Sequence, residues 1–419
     1  MTKVIQRPGF PTSLSFPVVG LRHIVDCLDG QRIPVEAQYR LPGPIPYWGA
    51  GTIQDYVDKF IFNEPLILLG EDGAPFDDAT RNVAHYSEGK IWVNNHMHVL
   101  RPREGVNARF LTYALNCVRY SEYLSGAIIP KLTQSQMMGI QVPFPRLEIQ
   151  NAIATYLDEE TAKIDHLIAK QQKLLSLTQE QAEANVEAAI WGQSIVREKN
   201  DRIAEHSYQP RSVLCLAVAD RLSAIPESWD VQRFKRIFSR KDDRNIDLSL
   251  EMLSLRQTGA VVPRSETNQN QEPSEKSLPK YLAVSPNDLV VNPMWLTGGA
   301  IGVSGLSGAV SPDYRVFTIG TDLTPAYAHE ILRSISYRRQ FKLFERANTT
   351  FDRRIQQIDL DNLPVPIPPV EHQKEIVRMV TQIHSHTQKL YKASERSIKL
   401  LQERRSALIT AAVTGQIEV

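Results

Sequence analysis

The sequence predicts an α+β protein: two globular domains of mixed α/β character separated by two long antiparallel helices in a coiled coil, arranged as a pseudo-two-fold internal repeat. Residues 142–150 resemble residues 365–373, which lie 223 residues later. Residues 188–193 resemble residues 411–416 at the same offset. A chance match would not keep both ends in register, so the chain contains two similar halves.

Each copy of the repeat is predicted to contain one long helix. Pro145 and Pro368 suit a first helical turn, where a missing N–H costs nothing. Gly192 and Gly415 suit the left-handed position that ends a helix. About 45 residues of helix would span about 65–70 Å, at a rise of about 1.5 Å per residue.

Apolar residues in both helices follow heptad spacing, with polar interruptions, which favours helix pairing. The first stripe is Ile153, Leu157, Glu160, Ile164, Leu167, Gln171 and Leu174, and the second is Ile376, Val380, Ile383, Thr387, Leu390, Ser394 and Ser397. Neither helix would be stable alone. We expect the two to pack on each other, because they begin and end two similar halves of one chain. The alternative is that each belongs to its own bundle.

The repeat divides the chain into five segments. We predict a first globular domain at 1–140, a first long helix at 141–193, a linker at 194–222, a second globular domain at 223–362, and a second long helix with the C-terminal tail at 363–419. In the first domain, residues 45–51 are predicted to form a loop, 60–62 and 66–69 short strands, and 91–93 and 98–100 strands on either side of a turn. Residues 107–125 are predicted to be helical.

The second domain contains the same kinds of element. Residues 288–291 are predicted to form a strand, and residues 298–304 and 309–317 a hairpin. Residues 325–346 are predicted to form one helix with a basic face, and the charged segment 194–222 suits a linker.

Composition narrows the possible functions. The chain has a net charge of +1 and three widely spaced cysteines, so neither a disulfide framework nor a zinc site is expected. No apolar run approaches the roughly 20 residues needed to cross a bilayer, and a reducing cytoplasm is the expected location. Neither glycine-rich nucleotide-binding motif occurs, so ATP hydrolysis and cofactor-bound methyl transfer are not expected on this chain.

Three weak motif matches are better explained without catalysis. Asp77, Glu88 and Lys90 loosely fit a Mg²⁺-dependent nuclease pattern, but Asp77 lies in a predicted loop. His96 and His98 could share a strand face as ligands, yet no third ligand is evident. Residues 292–295 faintly resemble the catalytic loop of amino-methyltransferases, although the second proline is missing. We expect no catalytic residue and no metal site.

Polar and aromatic side chains on the predicted loops are the candidate DNA contacts. Asn and Gln can pair with adenine and Arg with guanine, whereas basic side chains along the backbone only position the protein. Trp92 is expected to be a core residue, and the basic run 333–346 could be only a solvated helix face. The candidates are Tyr47, Trp48, Gln54, Asn94, Asn95 and His96 in the first domain and Arg264, Trp295, Thr297, Tyr314, Arg315, Arg338 and Arg339 in the second.

Several segments together resemble one protein family. They are residues 400–417, the helix start at 366–373, Ile225-Pro226-Glu227-Ser228-Trp229, residues 298–304, and residues 56–58 with 70–73. This pattern is similar to that of specificity subunits of type I restriction–modification systems. The likeness covers nearly the whole chain. The first domain departs from it, because residues 15–21 lack a clear Pro-x-x-Trp opening.

The resemblance implies two target recognition domains on two antiparallel spacer helices and a non-catalytic subunit that recognises an asymmetric, bipartite sequence in double-stranded DNA. It implies two modification methyltransferase subunits, which methylate N6 of adenine with S-adenosylmethionine, and two restriction/translocase subunits, which use ATP and Mg²⁺. No cofactor is expected on this chain. A coiled-coil adaptor that does not contact DNA is the competing interpretation, and a nuclease is the third.

Overall fold

The computed structural model describes residues 7, 9–10, 15–126, 130–194, 216–246, 249–267, 274, 276–345 and 354–419. These residues form two compact units. The first comprises Met1–Leu174 with Lys392–Val419, and the second comprises Leu175–Tyr391. Each unit therefore contains a part of both long helices.

The first unit is built around a four-stranded antiparallel sheet with the order β2-β9-β6-β7. A second sheet has the order β4-β3-β8-β5, in which β3 and β8 run parallel, and β1 pairs with β10. The strands are β1 Val18–Gly20, β2 Val25–Cys27, β3 Pro42–Gly49, β4 Thr52–Val57, β5 Phe62–Asn63, β6 Leu66–Gly70, β7 Ala84–Ser87, β8 Lys90–Val93, β9 Met97–Pro102 and β10 Gln141–Pro143. The short helices are α1 Ala108–Cys117 and α2 Gln134–Met138.

Strand β6 lies between two apolar clusters, which explains its unbroken apolar sequence. Ile67 and Leu69 pack in the cluster that includes α1, whereas Leu66 and Leu68 pack in a smaller cluster with Phe62. Because successive side chains of a strand point to opposite faces, both faces of β6 are buried.

The second unit repeats the main sheet, with the order β12-β19-β16-β17, and the ribbon, with β11 paired to β20. Two further ribbons pair β13 with β14 and β15 with β18. The strands are β11 Asp230–Arg233, β12 Phe238–Lys241, β13 Leu253–Leu255, β14 Val261–Pro263, β15 Leu282–Val284, β16 Leu289–Val291, β17 Ile301–Val303, β18 Gly308–Val310, β19 Arg315–Ile319 and β20 Pro364–Ile367. The short helices are α4 Leu216–Leu222, α5 Phe234–Ile237, α6 Pro325–Arg333, α7 Ile335–Phe344 and α8 Gln357–Asp361.

The two long helices are α3, Leu147–Ile190, and α9, Val370–Val413, and each has 44 residues. In the first unit, Ile153 and Leu157 near the start of α3 share a core with Ile409 near the end of α9. In the second unit, Ile190 at the end of α3 shares a core with Ile376 near the start of α9. The helices are therefore antiparallel in both units, as predicted.

The heptad stripe is buried near the start of each long helix and exposed towards the middle of the helix. Ile153, Leu157, Ile376 and Val380 are buried, whereas Leu167, Leu174 and Leu390 are exposed. The apolar stripe therefore contributes to the cores mainly near the start of each long helix. The helix ends are buried because each packs against the sheets and short helices of its unit.

The internal repeat is visible at atomic level in Gln150 and Gln373, which are both fully buried. Gln150 Oε1 accepts from the backbone N–H of Asn107, the N-cap residue of α1, at 2.9 Å. Gln373 Oε1 accepts from the N–H of Thr324, the N-cap residue of α6, at 2.7 Å. Each amide also donates to a proline carbonyl five residues before it, at 2.8 Å. One glutamine in each half thus joins the long helix to a short helix of the same half, α1 for Gln150 and α6 for Gln373.

The helix-ending glycines are also equivalent. Gly192 and Gly415 have φ values of +76° and +73°, which β-carbon-bearing residues rarely adopt. A β-carbon on Gly192 would lie 2.7 Å from Trp229, and one on Gly415 would lie 2.8 Å from Phe16. Phe16 therefore fills, in the first unit, the place that Trp229 fills in the second. The departure from the Pro-x-x-Trp opening is a change of aromatic residue at the same position.

Replacing Gln150 or Gln373 by leucine is expected to lower the free energy of unfolding by about 1–3 kcal/mol, because a buried N–H and carbonyl groups lose their partner. Urea unfolding of the full chain measures the effect. Gln172→Leu, at an exposed position of α3, is the matched control and should change stability by less than about 0.5 kcal/mol. Equal stability of all three variants would contradict the proposed role of these glutamines.

Several local predictions were wrong. Residues 45–51, predicted to be a loop, lie mostly in β3, which tolerates Pro42 and Pro46 because register shifts interrupt its pairing with β4. Segment 60–62 is a strand only from Phe62 onwards. The strand at 91–93 and the strand at 98–100 exist, but they belong to different sheets.

The second unit also departs from prediction. The proposed hairpin does not form, because β17 pairs with β16 and β18 pairs with β15. The single helix at 325–346 is two helices separated at Ser334, whose side chain caps the second. Residues 216–222 of the proposed linker form α4, with Val218 buried in the core, and residues 195–215 lie outside the described residues.

Candidate nucleic-acid interface

The structure separates the first-domain candidates into buried and exposed residues. Tyr47 is only 1% exposed, and its hydroxyl lies 3.1 Å from the N–H and 3.2 Å from the carbonyl of Val35. The guanidinium of Arg40 lies over its ring at 4.1 Å. Tyr47 is therefore a core residue of the second sheet and has no surface available for a base. The neighbouring Trp48 is half-buried, with its ring 5.1 Å from that of His85.

The turn after β8 holds three further candidates. Asn94 is buried, and its side chain accepts from the N–H of His96 at 2.9 Å, so it shapes the turn. Asn95 is exposed, and His96 Nδ1 lies 2.6 Å from Asp72 with its ring partly exposed. Gln54 is exposed on β4, an edge strand of its sheet. Gln54, Asn95 and His96 are thus accessible to DNA, whereas Asn94 supports the turn.

A charged cluster lies beneath this turn. Asp29, Glu71 and His98 place ligand atoms within 4.8 Å of one another, a spacing that could hold a metal ion. Arg32 and Lys131 already pair with Glu71, at 2.6 Å and 3.0 Å. His98 lies 2.6 Å from Asp29 and 2.8 Å from the Leu132 carbonyl, and both partners accept hydrogen bonds. The carboxylates of the cluster already have cationic or donor partners, so the cluster fits a structural role better than a cation site.

The electrostatics of this cluster keep its carboxylates ionised. Burial by itself raises the pKa of Asp29, but hydrogen bonds from His98 and the Val99 N–H, with the charges of His98 and Arg32, lower it below its ordinary value. Burial likewise raises the pKa of Glu71, and hydrogen bonds from Arg32 and Lys131 lower it overall. The cluster ties the 3-10 turn at residues 29–31 to β9 and supports the exposed turn above it.

In the second domain the structure brings two candidates together. Trp295 and Tyr314 line one cavity of about 720 Å³. Trp295 is 46% exposed, which is unusual for so large an apolar side chain. Burial raises the pKa of Tyr314, whose hydroxyl also bonds to Asn292 and Ser254. An exposed indole beside fixed polar groups is an arrangement typical of a recognition surface.

The same cavity contains polar residues that sequence reasoning did not name as candidates. Arg256, Gln257 and Asn292 line it. Arg256 is exposed, and its guanidinium donates to the Glu266 carbonyl at 2.9 Å. One sequence feature could have identified Arg256 and Gln257: they precede Gly259 in a turn that follows a strand. The dispersed sequence positions of these residues hid their proximity.

The remaining second-domain candidates are more constrained. Thr297 donates to Glu345 at 2.8 Å, and Arg264 is half-buried at the end of β14. Arg315 donates to the Ile355 carbonyl at 2.7 Å, and burial, with the nearby charges of Arg240 and Arg354, lowers its pKa. The Thr297 and Arg315 side chains therefore stabilise the loops around the cavity.

Helix α7 presents the two basic candidates to solvent. Arg338 and Arg339 are exposed, while Tyr337 and Phe341 of the same helix are buried. An exposed basic face over a buried apolar one suits contact with phosphates, which positions a protein on DNA without reading bases.

The residues of the weak nuclease pattern have other contacts. Glu88 accepts from the Tyr86 hydroxyl at 2.9 Å, and the Lys90 ammonium lies over the Phe60 ring at 4.9 Å. No helix among the described residues is long and apolar enough to span a membrane.

Comparison with known sequences points to one family. Residues 16–176 match the model of the type I restriction modification DNA specificity domain. A type I restriction enzyme specificity subunit of Haemophilus influenzae is 35% identical over 143 residues, which are 34% of this chain and 36% of that relative. The EcoBI specificity subunit of Escherichia coli is 22% identical over 338 residues, which are 74% of this chain and 66% of the relative. The matched region thus spans about a third of the Haemophilus relative.

Longer but weaker likenesses extend over 90% or more of the chain. The EcoDI specificity subunit of Escherichia coli is 20% identical over 410 residues, covering 90% of this chain and 83% of the relative. The HsdS subunit of Thermoanaerobacter tengcongensis has the same fold, with a TM-score of 0.50, 14% identity, and coverage of 97% and 98% of the two chains.

A chain from a structural study of complex assembly and conformational transition in the type I R-M system gives a TM-score of 0.59 at 16% identity, covering 97% of this chain and 100% of that one. Sequence and fold therefore agree. Residues 16–176 match the DNA specificity domain of type I restriction modification, and over most of its length the chain is similar to type I restriction enzyme specificity subunits.

Proposed function

We propose that this protein is the non-catalytic DNA-specificity subunit of a type I restriction–modification complex. Each of its two domains contacts one half of an asymmetric, bipartite target in double-stranded DNA. In this proposal the chain acts in the cytoplasm and performs recognition, whereas partner subunits perform the chemistry.

One observation carries the proposal. The two domains and their long helices share one architecture, but the two domains expose different side chains. Gln150 and Gln373 attach equivalent domain helices to equivalent long helices. On that frame, the first domain exposes Gln54, Asn95 and His96, and the second exposes Trp295 and Arg256 beside a cavity. Two domains with one architecture and dissimilar exposed groups suit a target with two dissimilar halves.

We propose further that two modification methyltransferase subunits and two restriction/translocase subunits assemble on this chain. The methyltransferase would supply S-adenosylmethionine for transfer to N6 of adenine, and the restriction subunit would use ATP and Mg²⁺. No cofactor is assigned to this chain. The near-neutral net charge of +1 supports shared DNA binding, because partner subunits would contribute basic surface.

The test is an exchange of the second domain. Replacing residues 224–362 by the corresponding domain of a relative is expected to change one half of the methylated sequence and leave the other half unchanged. Sequencing that maps methylated adenines in cells expressing the chimera with its methyltransferase partner measures both halves. An exchange of residues 16–140 is the matched experiment for the other half.

A change in both halves after a single exchange would contradict the two-domain proposal. Co-purification with the methyltransferase without sequence-specific DNA binding at physiological salt would instead favour a scaffold that does not contact DNA.

A further inference from the structure

The side chain of Arg7, which precedes β1 in the chain, is buried in the first unit and is only 5% exposed. All three nitrogens of its guanidinium donate hydrogen bonds, at 2.5–3.3 Å. The acceptors are the backbone carbonyls of Pro75, Phe76, Asp78, Arg81 and Asn116. The guanidinium carbon also lies over the Tyr120 ring, 6.0 Å from its centre. We call these five carbonyls the carbonyl cage.

Four of the five carbonyls belong to the loop 75–81, which lies between β6 and β7. Carbonyl oxygens that point at one place repel one another, and a low-dielectric interior strengthens the repulsion. A guanidinium among them removes the repulsion, and the carbonyls replace the water that the buried charge has lost. The conformation of loop 75–81 therefore depends on Arg7.

The fifth carbonyl joins the loop to α1. Asn116 lies near the end of α1, and its side-chain oxygen accepts from the N–H groups of Val83 and Ala84 at 2.8 Å and 3.1 Å. Arg7 and Asn116 together thus attach the loop and the start of β7 to a helix of the core.

The loop continues the segment that supports the exposed turn after β8. The N–H of Glu71 donates to the His96 carbonyl at 3.0 Å, and Asp72 lies 2.6 Å from His96 Nδ1. His96 is one of the residues proposed to contact DNA. Because residues 71–81 form one continuous stretch of chain, a shift of loop 75–81 would change how Glu71 and Asp72 hold His96.

We propose that Arg7 is a positioning residue for DNA recognition by the first domain, and that the carbonyl cage is selective for a guanidinium group. Arg7 is buried, so it acts through loop 75–81 and not by contact with DNA. A guanidinium holds five N–H donors in a rigid plane, whereas a lysine ammonium places three donors on one nitrogen. Lysine therefore keeps the charge but cannot bond to all five carbonyls. The inference rests on the proposed function, because its main readout is DNA recognition.

The first test measures discrimination in each half of the target separately. The full-length chain, assembled with its methyltransferase partner, is bound to the target duplex and to duplexes with one changed base pair in either half. Domain exchange assigns the halves to the domains. Arg7→Lys is expected to reduce discrimination in the half assigned to the first domain by about 3- to 10-fold and to leave the other half unchanged. Arg22→Lys, the same substitution at an exposed position of the first unit, is the matched control.

The second test restores the missing group. Arg7→Ala vacates the cage, and guanidinium chloride is added at concentrations too low to unfold the wild type, with sodium chloride at equal concentration as the control for ionic strength. Discrimination in the first half is expected to recover by about 3-fold or more in guanidinium only. Guanidinium generally weakens folded proteins, so a gain has the opposite sign to its general effect. If Arg7→Ala folds only when guanidinium is present, that recovery of folding is the same result.

Hydrogen exchange tests the loop without DNA. The N–H groups of Thr80 and Arg81 bond within the loop, to the side chain and the carbonyl of Asp78. Their exchange is expected to be at least about 3-fold faster in Arg7→Lys than in the wild type or in Arg22→Lys.

The inference is overturned if Arg7→Lys discriminates in the first half as the wild type does, or if exchange in the loop is unchanged. Equal losses in both halves would also overturn it, because they would show a general loss of stability. Absence of rescue in Arg7→Ala would exclude a guanidinium-selective cage. If the wild type discriminates in both halves while these tests fail, the proposed function stands and only the role of Arg7 is wrong. A wild-type complex that discriminates in neither half would contradict the proposed function, and the inference with it.

Discussion

Replacing Glu187 by alanine is expected to lower the free energy of unfolding of the second unit by about 3–5 kcal/mol. Glu187 lies in α3 and is buried. Its carboxylate accepts from the N–H of Ile335, from the N–H and hydroxyl of Ser336 at 3.3 Å and 2.9 Å, and from the Trp191 indole at 3.0 Å. Removing it leaves four donors without this acceptor, three of them buried and one half-buried.

The position of Glu187 explains the size of the effect. Ile335 and Ser336 begin α7, where the first N–H groups have no partner within the helix. A carboxylate at that end also interacts favourably with the helix dipole. Glu187 therefore fixes α7, which carries Arg338 and Arg339, to the long helix α3.

The variant Glu187→Gln keeps the shape of the side chain but removes its negative charge, so it separates the contribution of shape to stability from that of charge. The glutamine amide retains one acceptor oxygen but turns its NH₂ group towards donors, so a loss intermediate between those of wild type and alanine is expected. Glu183→Ala, at an exposed position one turn earlier, is the control and should change stability by less than about 0.5 kcal/mol. Urea unfolding of the full chain measures all three. A loss of under 1 kcal/mol for Glu187→Ala would contradict the assigned role.

A double variant, Trp295→Ala with Arg256→Ala, is expected to weaken binding of the assembled complex to its target DNA by at least about 30-fold, or about 2 kcal/mol. Trp295 offers a large exposed aromatic surface, and Arg256 offers a charged donor at the same cavity. A two-pronged Arg contact to a base is worth about 1–3 kcal/mol, and an aromatic contact with a base is worth about as much.

The stability of this double variant should stay close to that of the wild type, because both side chains are exposed. Ile358→Ala, an exposed apolar residue of α8, is the matched control and should leave DNA affinity unchanged. Binding is measured by fluorescence anisotropy at several salt concentrations, since phosphate contacts alone give a steep salt dependence. Unchanged target affinity in the double variant would remove this cavity from the DNA interface.

The sequence predicted the long helices well, because the features that mark a helix lie close together in the chain and occur in both halves. Proline at the start, glycine at the end and a constant offset placed both helices, and the structure gives them 44 residues each. The antiparallel pairing followed from the repeat itself. Burial along the stripe did not follow, since Leu167 and Leu390 are exposed.

The sheets were harder to predict because strand pairing joins residues far apart in the chain. Segments 298–304 and 309–317 looked like a hairpin, yet β17 pairs with β16 and β18 with β15. Three prolines and two glycines made β3 look like a loop. Short strands carry too little periodicity to reveal their partners.

The candidate site also combines features that the sequence predicted with features that it did not predict. Residue type drew attention to Trp295 and Tyr314, which the structure places in one cavity, but it did not reveal that Tyr47 is in the core. Sequence also missed Arg256 and Gln257, which join that cavity from another ribbon.

The amino-acid sequence by itself determined the duplication, the two long helices and the family resemblance, because these depend on spacing along one chain. Only the tertiary structure decided which polar and aromatic side chains are accessible and which lie together. Accessibility depends on what packs against a side chain from distant segments, as Val35 and Arg40 pack on Tyr47, and no local pattern encodes that contact.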